Sequence, residues 1–194
     1  ATAIQDSDEA GQQFRVYEFP GMAHLDSRNT FLRFTQEDCL HPLSSFPIDA
    51  YTSVALHHLL QWVDKDIAPP RAPRVIMDMF VDNDGSLMQL DEYGNPMGGI
   101  RNPYVDLPTV KYTMINEANP ASNGAGLGRM DTPLLCMLSG WQTPLPAATL
   151  RAKYGSPADY VRMVETRLDE LEAEGWSLPV YRDIILGDAR AVRF

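Results

Sequence analysis

Phe14-Arg15-Val16-Tyr17-Glu18-Phe19-Pro20-Gly21-Met22-Ala23-His24-Leu25-Asp26 is the stretch on which the reading of this chain turns. Apolar and polar residues alternate from Phe14 to Phe19, the period of a half-buried strand, and Pro20-Gly21 closes it with a tight turn. His24 then falls on a loop at the end of that strand. Loops carried by a rigid scaffold collect catalytic groups, and imidazole is the usual general base for activating a hydroxyl or thiol nucleophile.

Around this stretch the chain reads as one globular unit. Its 194 residues suit one large domain or two small ones, and neither a linker nor an internal repeat divides them. Residues 1–194 are therefore taken as a single unit. With 44% hydrophobic and 22% charged residues the composition is that of an ordinary globular protein. The 16 Lys and Arg against 26 Asp and Glu leave a net charge of −10, which opposes a nucleic-acid partner because phosphate binding needs a basic face. The longest apolar run, Leu134 to Leu138, is far short of a membrane span.

Downstream, Ile48 to Val63 carries apolar residues at Val54, Ala55, Leu59, Trp62 and Val63, widened by Leu56 and Leu60. The spacing predicts an amphipathic helix packed on a core. Arg74 to Val81 and Leu87 to Leu90 flank Asp82-Asn83-Asp84-Gly85 and predict a hairpin, with a second turn at Tyr93 to Pro96. Asn116 to Gly128 is the best candidate for a mobile surface loop. Ser156-Pro157 predicts a helix start, a stripe from Tyr160 to Leu171 its buried face, and Gly175 its end; a shorter helix follows Pro179.

Several motifs carry no chemistry. Asp82 to Gly85 fails as a calcium loop, because position one would be Phe80 and position twelve Asp91. Gly124 to Gly128 fails the dinucleotide pattern. His57 and His58 diverge by about 100° on a helix and cannot share one metal, and His41 has no partner in sequence. Trp62, Trp141 and Trp176 read as core anchors. No metal or organic cofactor is expected. Cys39 and Cys136 fit neither a CxxC metal pattern nor a redox pair; they form one disulfide in an oxidising compartment or remain two buried thiols.

The opening stretch resembles the last core strand and histidine loop of α/β-hydrolases. More specifically, the chain is similar to the C-terminal half of a bacterial family of large α/β-hydrolase-domain proteins. The matching blocks are Tyr17 to Asp26, Cys39 to Pro47, Leu60 to Val63 with Pro69-Pro70, and Gly94 to Pro108, which includes Gly98-Gly99-Ile100-Arg101. Cys136 to Pro144 and Tyr154 to Tyr160 match more loosely. The fold class implied is α/β: the last sheet strand and histidine loop of a hydrolase fold, followed by a long mixed α+β extension. The resemblance implies a serine hydrolase acting on carboxylic esters, with His24 as its catalytic histidine.

Such hydrolases order their triad Ser, then Asp or Glu, then His, with the serine in a GxSxG elbow. No such pentapeptide occurs here, and Ser139 in Leu138-Ser139-Gly140 is the nearest serine to one. Upstream of His24 only Asp6, Asp8, Glu9 and Glu18 could supply the acid, and none is well placed. The nucleophile and acid are therefore expected outside this chain, on an N-terminal half or a second polypeptide. Its other expected partner is a small ester-like substrate. The alternative is a non-catalytic interaction or structural module derived from such a hydrolase.

Three expectations follow from that placement. A lone strand at 14–19 would leave an unpaired edge, so a strand from outside this chain should pair with it. Both cysteines fall in matching blocks and should approach within about 7 Å, consistent with a soluble periplasmic or secreted protein. Asp26 is assigned to capping or turn formation, and Arg101 with Asp106 to a structural ion pair.

Overall fold

A computed structural model describes residues 5–28, 38–78, 87–122 and 132–194. The described residues form helices and one two-stranded sheet, in the order α1 (Ile48–Lys65), α2 (Pro103–Asp106), β1 (Val110–Thr113), α3 (Thr132–Leu138), β2 (Trp141–Pro144), α4 (Ala147–Tyr154), α5 (Pro157–Glu174), a 3-10 turn (Pro179–Tyr181) and α6 (Arg182–Ala191). Strands β1 and β2 pair antiparallel, with Val110 opposite Pro144 and Thr113 opposite Trp141. The fold is thus mixed α/β.

Local chemistry sets the best-defined elements. Ser156 caps α5 by accepting the Asp159 amide, Pro157 starts it, and Gly175 ends it at φ +81°, a conformation open to glycine without strain. The α5 stripe Tyr160, Val164, Leu168 and Leu171 is buried, and the first three pack with Leu150, Tyr154, Ile185 and Leu186 into one of three cores. A second core gathers Phe19, Phe46, Tyr51, Ile100, Val105 and Tyr112. The third is small: Cys39, Leu43 and Cys136, with the two cysteines joined in a disulfide whose Cα atoms lie 5.6 Å apart. That bond closes a separation of 97 residues.

Two expectations change here. Residues 14–19 form no sheet strand. Only Phe14 makes a bridge, to Ser7, while side chains and single amides serve the rest of the segment. Val16 donates its amide to Asp6 Oδ1 and accepts from Arg74 at 2.6 Å, and the Glu18 carbonyl accepts from the Ile100 amide at 2.7 Å. A segment so held by side chains is no bare sheet edge, and the argument for an outside strand pairing with it lapses. The α1 stripe is the second. Its buried residues are Ile48, Ala50, Tyr51 and Val54, whereas Leu56, Leu59, Leu60 and Val63 are exposed, Val63 at 73%. Only the first half of the helix rests on the core.

The region between residues 75 and 98 forms paired irregular segments. Met77 bridges Met88 antiparallel, as the hairpin reading requires, while Val75 bridges Gly98, beyond the second turn. Its Asp82–Gly85 turn lies outside the described residues, as do Gly124 to Gly128. The second turn is built by Asp91, whose Oδ1 accepts the amides of Tyr93 and Asn95. Arg101 pairs with Asp106 at 2.6 Å, and Arg167 reaches the same carboxylate from α5 at 2.8 Å, tying α2 to α5.

Candidate functional site: the His24 loop

Gly21 makes the turn that launches the loop. Its φ is +85°, and a Cβ there would meet Tyr112, Val105 and Phe46 at 3.2 to 3.3 Å, so both conformation and space favour glycine. Beyond it the backbone just after His24 is strapped down. The Leu25 amide donates to the Leu138 carbonyl at 3.0 Å, and the Ser27 amide to the Ser44 carbonyl at 2.8 Å. Ser44 in turn donates to the Gly140 carbonyl at 2.8 Å. Ala23 lies against Gly140 so closely that a Cβ on the glycine would stand 2.7 Å from the alanine's own.

Asp26 anchors the loop from beneath. It is buried, and its carboxylate accepts the Arg28 amide at 2.6 Å and the Ile48 amide, the first of α1, at 3.3 Å. Its expected capping role is what the structure shows, with the cap supplied from a distant segment. Between these fixed points the His24 side chain is exposed, and it makes no hydrogen bond among the described residues.

None of the other triad candidates within the described residues is brought to it. Ser139 bridges Leu25 through the backbone, one residue from His24, but its side chain is fully buried and its hydroxyl donates to the Leu135 carbonyl at 2.7 Å. A hydroxyl so enclosed cannot attack a substrate. Asp6 is taken by Arg74 at 2.9 Å, and Glu18 accepts the Val75 amide at 2.7 Å. Asp8 pairs with Arg15 and Arg71, whose guanidinium hydrogen bonds, Arg15 first, hold its carboxyl below the usual carboxylate value. Glu9 is exposed on the Ser7–Gly11 turn.

His41 and His58 serve packing. His41 stacks on Trp141 with ring centres 3.8 Å apart, and Asn116 brackets its backbone, accepting its amide and donating to its carbonyl. His58 reaches the Gly175 carbonyl at 2.8 Å, and partial burial lowers its pKa. Trp62, Trp141 and Trp176 are only half-buried, so they are rim residues rather than core anchors. Among the described residues no group of His, Cys, Asp and Glu is disposed to hold a metal ion, and no helix is long and apolar enough to cross a membrane.

Two cavities stand near the loop's neighbours. A groove of about 920 Å³ runs between α1 and residues 13–22, walled by Tyr17, Phe19, Leu56, Leu59 and Trp62, with the Arg15 guanidinium 4.8 Å above the Trp62 ring. A smaller cavity of about 260 Å³ lies between α2, β1, β2, α5 and α6. His24 lines neither. The surplus of apolar residues on α1 was the only signal in the chain that pointed to the groove. Nothing local pointed to the second, whose walls come from segments more than 100 residues apart.

No curated protein and no solved structure matches the chain. A family model does, over residues 1–186, and its description is an alpha/beta hydrolase domain. That span takes in the His24 loop, both cysteines, the two-stranded sheet and the helices through the first half of α6. The chain belongs to the alpha/beta hydrolase domain family.

Proposed function

We propose that this chain works within a serine hydrolase acting on carboxylic esters, with His24 as the proton-transferring imidazole. In this reading residues 1–194 are one unit of a larger hydrolase domain, and the serine and acid lie outside them, on an N-terminal half or a second polypeptide. The carrying observation is the contrast at the loop. The backbone just after His24, at Leu25 and Ser27, is fixed to residues 44 and 138–140, while the imidazole stays exposed and makes no hydrogen bond among the described residues. A structural histidine normally spends its ring nitrogens on neighbours, as His58 does on Gly175.

The chemistry follows from imidazole's proton affinity near neutrality. One ring nitrogen takes the serine proton as the oxygen attacks the ester carbonyl, then returns it to the departing alkoxide. The acyl-enzyme is hydrolysed by water through the same exchange. The exposed Leu56, Leu59 and Val63 on α1 support further polypeptide lying against this unit. The Cys39–Cys136 bond supports an oxidising compartment, periplasmic or secreted.

The test uses the full product of the gene that encodes this chain. It should label with a fluorophosphonate and hydrolyse p-nitrophenyl acetate. His24→Ala should lower kcat/KM by about 10³-fold or more, with an unchanged unfolding midpoint. Activity within a few-fold of wild type would remove His24 from the chemistry and favour the alternative, a non-catalytic module.

A further inference from the structure

The smaller cavity has the makings of a ligand site. Asp188 on α6 stands in its wall, and its Oδ2 accepts from Arg28 at 2.5 Å and from the Tyr104 hydroxyl at 2.6 Å. Its other oxygen, Oδ1, takes no hydrogen bond among the described residues. Gln142 on β2 spends its amide oxygen on the Ser45 amide at 3.0 Å and on the Ser44 hydroxyl at 3.2 Å. That network orients the amide and leaves its NH2 group to donate elsewhere. Tyr112 on β1 is only 7% exposed and lines the same cavity, and its hydroxyl makes no hydrogen bond among the described residues. A hydroxyl left open toward a cavity is free to bond to whatever occupies it.

We propose that this cavity binds one neutral sugar ring, held by Asp188, Gln142 and Tyr112 against the tyrosine rings. Three features select that class. The Arg28 guanidinium cancels the Asp188 charge, so neither a free cation nor a free anion meets a net opposite charge. Acceptor, donor and hydroxyl stand together, which suits vicinal hydroxyls that both donate and accept. Tyr104, Tyr112 and Tyr160 give the apolar ring surface on which a sugar's C–H face can rest. At about 260 Å³ the space lies below the roughly 300 Å³ where drug-sized sites begin, so it suits a single ring rather than a chain.

The electrostatics agree with the geometry. Burial first raises the phenol pKa values of Tyr104, Tyr112 and Tyr160, the last to about 12; a neighbouring phenol adds to it at Tyr104 and Tyr112, and the Asp188 carboxylate at all three. All three hydroxyls are therefore protonated and able to donate across the biological pH range. The inference does not depend on His24.

Saturation-transfer NMR and calorimetry on the full product of the gene that encodes this chain, with methyl β-D-glucopyranoside, methyl β-D-galactopyranoside and myo-inositol as probes, decide the matter. At least one probe should bind. Tyr112→Phe removes a hydroxyl that bonds to nothing among the described residues, so it should leave the unfolding midpoint unchanged and weaken binding about fivefold or more. Tyr17→Phe removes a hydroxyl that donates to the Pro70 carbonyl beside α1, outside the cavity's lining, and should leave binding unchanged. The proposal fails if none of the probes binds at tens of millimolar, or if Tyr112→Phe binds as tightly as wild type. It also fails if tetramethylammonium or acetate occupies the cavity in place of the sugars.

Discussion

The Asp26 carboxylate accepts the first amide of α1, that of Ile48, at 3.3 Å, so the loop carrying His24 and the start of the helix are one hydrogen-bonded unit. Helix starts leave amides without intrahelical partners, and Pro47 offers α1 no side-chain cap of its own. The cap arrives from 22 residues upstream instead.

Asp26→Ala leaves the Arg28 amide without its acceptor and the Ile48 amide with the Phe46 carbonyl alone, at 3.0 Å. The expected loss is about 1–3 kcal/mol of stability by urea unfolding. Asp26→Asn keeps an acceptor oxygen and should lose less. Equal losses for the two variants would show that the carboxylate does not act as a cap.

The disulfide ties Cys39 to Cys136 across 97 residues, and around it sits the smallest of the three cores. Replacing both cysteines with serine should cost about 2–5 kcal/mol. Alkylation under non-reducing denaturing conditions should find no free thiol. Full alkylation without reductant would remove both the bond and the support for an oxidising compartment.

Tyr51 is 1% exposed, and its hydroxyl has no partner among the described residues. An unsatisfied buried hydroxyl costs about 1–3 kcal/mol, so Tyr51→Phe should stabilise the protein by up to that amount. A lowered melting temperature would show that the hydroxyl is satisfied after all.

Ser139 tests the hydrolase reading from the opposite side. Its hydroxyl is spent on the Leu135 carbonyl, so Ser139→Ala should cost about 1 kcal/mol of stability while esterase activity of the complete gene product survives. Loss of fluorophosphonate labelling with the fold intact would make Ser139 the nucleophile.

His58 makes stability depend on pH. Partial burial lowers its pKa below 6.5 against the opposing pull of the Gly175 carbonyl, with His57 adding a little repulsion. The unfolded chain then binds more protons than the folded one just below pH 6.5. The stabilisation is complete above that pH and is lost as pH falls through the window toward the folded value. Urea midpoints between pH 7.5 and 5.5, taken on wild type and His58→Gln, should show a smaller decline in the variant. Parallel curves would clear His58 of any part in it.

What was legible in the sequence was whatever neighbours in sequence decide. Ser156, Pro157 and Gly175 bound α5 because caps act within one turn. Asp91 builds its own turn with Tyr93 and Asn95 for the same reason. The family blocks and the exposed histidine after Pro20-Gly21 could likewise be read directly. Alternation at 14–19 misled because period two describes any extended segment, whereas a strand needs a partner, and here Asp6, Arg74 and Ile100 serve the backbone in its place. The apolar stripe of α1 announced a helix correctly but could not say how far the core beneath it extends. Only the tertiary structure decided that Ser139 is sealed, that Asp26 caps a distant helix, and that Arg28, Tyr104 and Asp188 meet across 160 residues. Such contacts depend on where the chain's long-range closures bring segments together, and no local pattern encodes that.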